Sequence, residues 1–178
     1  MTTGQGLSYF DTGVGRCAIA WSESGVAGVQ LPEATEAATR ARMQRRFPSA
    51  VEAAPPPPVQ AAIDGIVALL AGEPSDLTGV ALDLRSVSEF HRAVYEIART
   101  IAPGETMTYG AIAAQLGAPG AARTVGQALG QNPIPIIVPC HRILAAGGRA
   151  GGFSAPGGVM TKLRLLEIER RRIPFALT

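Results

Sequence analysis

Thr108-Tyr-Gly-Ala-Ile-Ala-Ala-Gln-Leu-Gly-Ala-Pro-Gly-Ala-Ala-Arg-Thr-Val-Gly-Gln-Ala-Leu129 is the stretch whose reading decides the fold of the second half of the chain. Thr108 is placed to cap a helix through Leu116, because its hydroxyl accepts from an otherwise orphaned first-turn amide. Gly117-Ala-Pro-Gly120 breaks that helix: proline lacks a donor and glycine admits left-handed backbone. Ala121 to Leu129 predicts a second helix, ending before Gly130. Two short helices around a tight turn make a helix-turn-helix candidate. In the second helix Ala122, Val125 and Leu129 share an inward stripe, whereas Arg123 and Gln127 lie four apart on another face that points outward.

Upstream, Ser86 and Glu89 have the spacing of a capping box, and Val87, Phe90, Val94, Ile97 and Ile101 repeat at helical spacing until Pro103-Gly104. His91, beside that cap, reads as a surface residue. Downstream, a final helix is expected from about Val159 to Arg171, with Arg170-Arg-Arg172 at its C-terminal end and Pro174 preventing its extension. In the first half, Gly15 to Ser22 alternates Cys17, Ile19 and Trp21 with smaller or polar residues, and Val26 to Leu31 follows as the second arm of a hairpin. A polar helix from about Glu33 to Phe47 comes next. Ala53-Ala-Pro-Pro-Pro-Pro58 is expected to be an extended connector, Val59 to Leu70 a helix, and Val80-Ala-Leu-Asp-Leu84 a short strand. The domain boundary is placed near Arg85, giving an N-terminal α/β domain over 1–85 and a C-terminal domain over 86–178.

The 178 residues are 47% apolar and 17% charged, enough for one large or two small domains without covalent staples. No basic stretch with an apolar run opens the chain, and no run approaches the roughly 20 apolar residues that span a bilayer, so a cytoplasmic protein is expected, without export or membrane insertion. Net charge divides unevenly, −3 over residues 1–85 and +5 over residues 86–178, so an anionic partner is drawn to the second half.

Asn132-Pro-Ile-Pro-Ile-Ile-Val-Pro-Cys-His-Arg142 sets one of only two cysteines beside one of only two histidines. A cysteine is most often a packed core thiol, and Cys17, on the same strand face as Ile19 and Trp21, is read that way. Cys140 differs because Pro133, Pro135 and Pro139 leave few donors for a ladder, making the segment a rigid, irregular wall on which a thiol is positioned. A nucleophilic cysteine needs its proton removed, and His141 can do this. Neighbouring side chains rarely face each other, which points to a relay through a water. A carboxylate on the last helix, Glu169 or Glu167, is the candidate to orient the imidazole.

Together Thr108-Tyr-Gly-Ala-Ile-Ala, Ala121-Ala-Arg-Thr-Val-Gly, Asn132 to Arg142 and Gly157-Gly-x-x-x-Lys162 resemble the O6-alkylguanine-DNA alkyltransferases, the methylated-DNA-protein-cysteine methyltransferases, over about residues 86–170. The resemblance implies a small ribonuclease H-like sheet with helices, then a mainly helical domain with a winged helix-turn-helix. It implies that Cys140 takes the alkyl group from guanine O6 and keeps it, so that each molecule acts once. His141 activates the thiol with Glu169 behind it, Tyr109 donates to the base, and Asn132 braces the helix-turn-helix against the Cys140 wall. Arg123 enters the duplex where the base is extruded. Thr108, Tyr109, Ala121, Ala122, Gly126 and Gln127 line the DNA, with small residues allowing close approach in the minor groove and little reading of sequence. The base pocket implied is Tyr109, Val138-Pro139-Cys140, Ile143, Gly151, Phe153, Ser154 and Lys162, with backbone groups of Cys140 and Ile143 toward the guanine amine and the Ser154 amide near O6. Ala155-Pro156 departs from the shorter loop of some relatives. No metal and no organic cofactor are expected; the partner is double-stranded DNA carrying O6-alkylguanine, and the chain is expected to act as a monomer.

Three other classes fit less well. A lesion-binding module needs no nucleophile, yet Cys140 is there. A sequence-specific regulator needs base-reading side chains, and the second helix offers mainly Arg123, Thr124 and Gln127. A Cys-His hydrolase needs an oxyanion hole, and Pro139 denies one donor beside the thiol.

Overall fold

The structure is a computed structural model that describes residues 5–170. Its contacts divide into two units: the described residues through Ser86 together with Pro133–Ile137, and Val87–Asn132 with the described residues from Val138 onward.

The first unit is built on β1 (Gly6–Thr12), β2 (Gly15–Ser22) and β3 (Gly25–Gln30), followed by α1 (Glu36–Arg46), β4 (Val51–Glu52) and α2 (Pro57–Leu70). The sheet order is β3-β2-β1-β4, antiparallel except for the parallel pairing of β1 with β4. The expected hairpin is present as β2 and β3. Strand β2 is covered on both faces: Ala18 and Ala20 pack with Leu7 and with Met43 of α1, and alternation sends Cys17, Ile19 and Trp21 to the other side. Thr35 caps α1 by accepting from the Ala38 amide.

Two expectations fail here. The proline run is not wholly a connector, because Pro57 and Pro58 form the first turn of α2. First-turn amides have no intrahelical acceptor, so proline loses nothing there and its fixed φ suits the helix. Val80 to Leu84 forms no strand; it contributes one bridge, Val26 to Leu82, with the Val26 amide donating to Ala81 and the Asp83 amide to Val26.

The second unit contains α3 (Glu89–Arg99), β5 (Met107–Thr108), α4 (Tyr109–Gln115), α5 (Ala122–Gly130), a 3-10 turn at Cys140–Arg142, β6 (Ile143–Leu144), a second 3-10 turn at Ala146–Gly148 and α6 (Gly158–Arg170). The cap of α3 is Ser88, whose hydroxyl accepts from the His91 amide, not Ser86; Glu89 is then the first helical residue and no capping box forms. The buried stripe of α3 is correspondingly Val94, Tyr95 and Ala98, and His91 is half-buried beside the Phe90 and Tyr95 rings. Thr108 caps α4 as expected, accepting from Ala111. Gly117 and Gly120 in the turn to α5 have φ of 71° and 94°, where a side chain would be strained. On α5 the fully buried residues are Val125, Ala128 and Leu129, with Ala122 only partly covered. Arg171, Arg172 and Pro174 lie outside the described residues. No described helix is long and apolar enough to cross a membrane.

Candidate functional site

Strands β5 and β6 pair in parallel, Met107 with Ile143 and Thr108 with Leu144. Because Tyr109 directly follows β5 and Cys140 directly precedes β6 by one short turn, this two-residue ladder brings the start of α4 to the Cys140 segment. Asn132, just past α5, ties the other side: its Nδ2 donates to the Val138 carbonyl at 2.9 Å, and its side chain also hydrogen-bonds the Cys140 thiol. The Cys140 amide in turn donates to Val138. Burial pushes the thiol up, against the opposing pull of the Asn132 hydrogen bond and the Lys162 charge, so the resting group is a thiol.

His141 is fully buried, and its Nε2 lies 2.7 Å from Glu169 Oε1. Burial works against ionising Glu169, but hydrogen bonds from His141 and Arg142 and their charges outweigh it and hold the carboxyl at about 2. Burial lowers the imidazole despite that carboxylate. A neutral ring facing an ionised acceptor carries its proton on Nε2, leaving Nδ1 as the basic nitrogen; Nδ1 has no protein partner. Glu169 rather than Glu167 holds this place because Lys162, Leu165, Leu166 and Glu169 form the buried i, i+3, i+4, i+7 stripe of α6, while Glu167 is exposed.

Arg142 is the partner that sequence reasoning did not assign. It is buried, its Nη2 reaches Glu169 Oε1 at 2.7 Å, its Nε meets both carboxylate oxygens at 3.1 Å, and its Nη1 donates to the Ile101 carbonyl. The signal available was its position in the Cys-His-Arg turn: a side chain two residues past Cys140 shares the wall.

Thr108, Tyr109, Ala122, Arg123, Gly126 and Gln127 line a cavity of about 800 Å³ together with Cys140, Phe153 and Ser154. Arg123 and Gln127 are exposed at its margin, and Cys140 lies on its wall. Ala121, Val138, Pro139, Ile143, Gly151 and Lys162, expected at the DNA or the pocket, do not line it. Val138 and Ile143 are packed at 0% exposure, since alternate residues of an apolar wall must face the core. Ile143 directs its carbonyl to Lys162 Nζ and its amide to the Cys140 carbonyl. Lys162 stands behind the cavity, donating also to the Gly152 carbonyl at 3.2 Å and toward the Tyr109 hydroxyl at 3.4 Å. Gly151, at φ 69°, packs so closely on the Tyr109 phenol that a Cβ would lie 2.9 Å from its oxygen. Burial raises the Tyr109 phenol, with Cys140 adding to the effect, so it is a neutral donor. Gly110, Leu129, Gly130, Ala145 and Ala146 also line it without having been anticipated. Among the described residues no group of three His, Cys, Asp or Glu is placed to hold a metal.

The family of the 6-O-methylguanine DNA methyltransferase DNA-binding domain matches residues 89–171. The methylated-DNA-protein-cysteine methyltransferase of Mycobacterium tuberculosis is 50% identical over 117 residues, 66% of this chain and 68% of that protein. The protein of the same name from Methanothermobacter thermautotrophicus is 32% identical over 151 residues, 85% of this chain and 77% of that protein. Among solved structures, Mycobacterium tuberculosis OGT in complex with DNA superposes with a TM-score of 0.75 at 36% identity, covering 95% of each chain.

Proposed function

The chain belongs to the methylated-DNA-protein-cysteine methyltransferase family, and from that premise we propose that Cys140 is the acceptor in a single-turnover repair of O6-alkylguanine. The protein is a DNA repair enzyme of this kind, moving an alkyl group from guanine in DNA onto a cysteine. The observation that carries the assignment is the Cys140 thiol on the cavity wall with the buried His141–Glu169–Arg142 cluster behind it.

The thiol is protonated at rest, so its proton leaves as attack proceeds. His141 Nδ1 takes it through a bridging water, and Glu169 stabilises the imidazolium that forms. Sulfur attacks the alkyl carbon in line; the S–C bond forms as the C–O6 bond breaks, and the electron pair passes to the guanine. The base then gains a proton, returning the imidazole to neutrality. The Tyr109 phenol donates to the leaving base, its oxygen already turned toward Lys162, and the Ser154 amide serves O6. A thioether cannot be hydrolysed by this machinery, which limits each chain to one event.

A stacked base shields its alkyl carbon from in-line attack, so the nucleotide is extruded, at a cost of a few kcal/mol. Arg123, exposed at the cavity margin, fills the gap. Helices α4 and α5 act as the helix-turn-helix, entering the minor groove with the small residues Ala121, Ala122 and Gly126 against the backbone, and β5–β6 with the loop beyond it acts as the wing. The +5 charge of residues 86–178 supports this side as the DNA face. Residues 1–85 are the supporting domain, whose parallel β1–β4 pairing beside an antiparallel meander fits a ribonuclease H-like sheet. The protein works as a cytoplasmic monomer. Incubation with a molar excess of duplex carrying O6-methylguanine tests this: lesion loss should stop at one per chain, and continued turnover would contradict it.

A further inference from the structure

The five residues Pro133–Ile137 leave the second unit and pack with the first, although the chain on either side of them, Asn132 and Val138 to Cys140, belongs to the second. Asn132 Nδ2 to the Val138 carbonyl closes the base of this excursion. At its start the Pro133 carbonyl accepts twice, from the Val29 amide at 3.0 Å and from Arg46 Nη2 at 2.8 Å. Arg46 Nη1 meanwhile donates to the Val29 carbonyl at 2.9 Å and to Gln30 Oε1 at 3.1 Å. The guanidinium lies 5.1 Å from the Phe47 ring centre, and Gly28 leaves room for it, since a Cβ there would fall 3.0 Å from Nη2 and press on that ring. No ion pair among the described residues uses Arg46: its charge is directed at backbone and amide oxygens and, at 3.8 Å, at the Met43 sulfur.

Within the excursion Ile136 has φ of 73°, a left-handed conformation in a buried, β-branched residue. Such a conformation is strained and persists only where its surroundings over-determine it. Pro133 and Pro135 cannot donate to a ladder.

We propose that Arg46 is a positioning residue for Cys140: its guanidinium holds the Pro133 carbonyl, keeps Ile136 in its strained conformation, and so fixes the path of the chain into Val138-Pro139-Cys140. Loss of the clamp lets Ile136 relax, and a rotation four residues before the nucleophile displaces the thiol from its line of attack. A lysine cannot replace it, because the two nitrogens of the fork serve β3 and Pro133 at once. The inference rests on the alkyl-transfer reading for its consequence, but the clamp has a readout of its own.

The test compares Arg46→Ala and Arg46→Lys with Arg42→Ala, a change on the same helix whose guanidinium meets Glu33. Two measurements are made on the full chain: amide hydrogen exchange, and the rate constant of transfer at saturating O6-methylguanine duplex beside duplex affinity. Arg46→Ala is expected to speed exchange at Val29 and Cys140 and to slow transfer about ten-fold to a hundred-fold, the range a displacement of about 1 Å brings, with affinity unchanged. Arg46→Lys should fall between, and Arg42→Ala should match the parent. A lowered melting temperature with parental exchange at Cys140 and a parental rate constant would overturn the proposal. If Arg46→Ala does not fold, Arg46→Lys decides by the same two readouts. Altered exchange in a protein whose parent transfers no alkyl group would uphold the clamp and overturn the function instead.

Discussion

In the sheet unit the ion pairs Arg16–Asp11, Arg40–Glu52 and Arg42–Glu33 have side chains up to 80% exposed, whereas in the helical unit His141, Arg142 and Glu169 pair at 6% or less. Exposed pairs are screened by water and hold little; buried ones cost several kcal/mol of desolvation per ion before their attraction offsets it. A fold has no need of the second kind, since packed apolar residues do as well or better. The buried cluster therefore carries charge that packing does not ask for: His141 and Arg142 hold Glu169 ionised, while burial keeps His141 neutral against that carboxylate. Lys162, fully buried behind Tyr109, repeats the lesson.

The largest break in this comparison comes from Cys140→Ala, which should abolish transfer while duplex affinity is retained or improved; methyl transfer surviving in that variant would remove Cys140 from its role. Glu169→Gln should lower the transfer rate constant by about two orders of magnitude, the contribution of a general base, and destabilise the fold by about 3–5 kcal/mol through an uncompensated buried Arg142. Its pH dependence sharpens the point. Glu169 is held at about 2 against an ordinary 4.5, so its stabilisation is complete above 4.5 and is lost as pH falls toward 2. His141, held neutral by burial, adds a loss in the same direction that begins as pH drops below 6.5, where the unfolded chain takes up a proton the folded one refuses. Urea titrations across pH 2–7 should show both phases in the parent and only the upper one in Glu169→Gln.

Arg123→Ala should slow transfer from duplex by about ten-fold and from the free alkylguanine base hardly at all, since only the duplex requires extrusion; equal losses on both would deny it that task. Smallest of all, Arg40→Ala breaks two surface pairs and a contact 4.0 Å over the Tyr9 ring, and should leave transfer at the parental rate with a slight fall in melting temperature. A large effect there would erase the contrast between the two regions.

What could be read from sequence followed the strength of local signals. Helices α4 and α5 were legible because Thr108 and the Gly117–Gly120 turn mark their ends, and the β2–β3 hairpin because its alternation is clean. Strand β1 was not, since adjacent Tyr9 and Phe10 break the alternation of Gly-Leu-Ser-Tyr-Phe-Asp-Thr. Strands β4, β5 and β6 have two residues each, too few for any period, yet the β5–β6 pair is what brings Tyr109 to Cys140. Ser86 and Ser88 offer the same cap chemistry, and packing of Val94, Tyr95 and Ala98 chose the second. At the site, Cys140, His141 and Glu169 were named from residue type and resemblance. The Arg142 and Arg46 contacts depend on tertiary folding, 27 and 87 residues from their partners, and leave no local mark.

Intact-protein mass measurement after incubation with excess O6-methylguanine duplex, followed by peptide mapping, tests the central claim most directly. The account predicts a gain of one methyl group per chain, carried by the peptide containing Cys140, with Cys17 unmodified. An unchanged mass while the lesion duplex is bound, or a methyl group on any other residue, would contradict it.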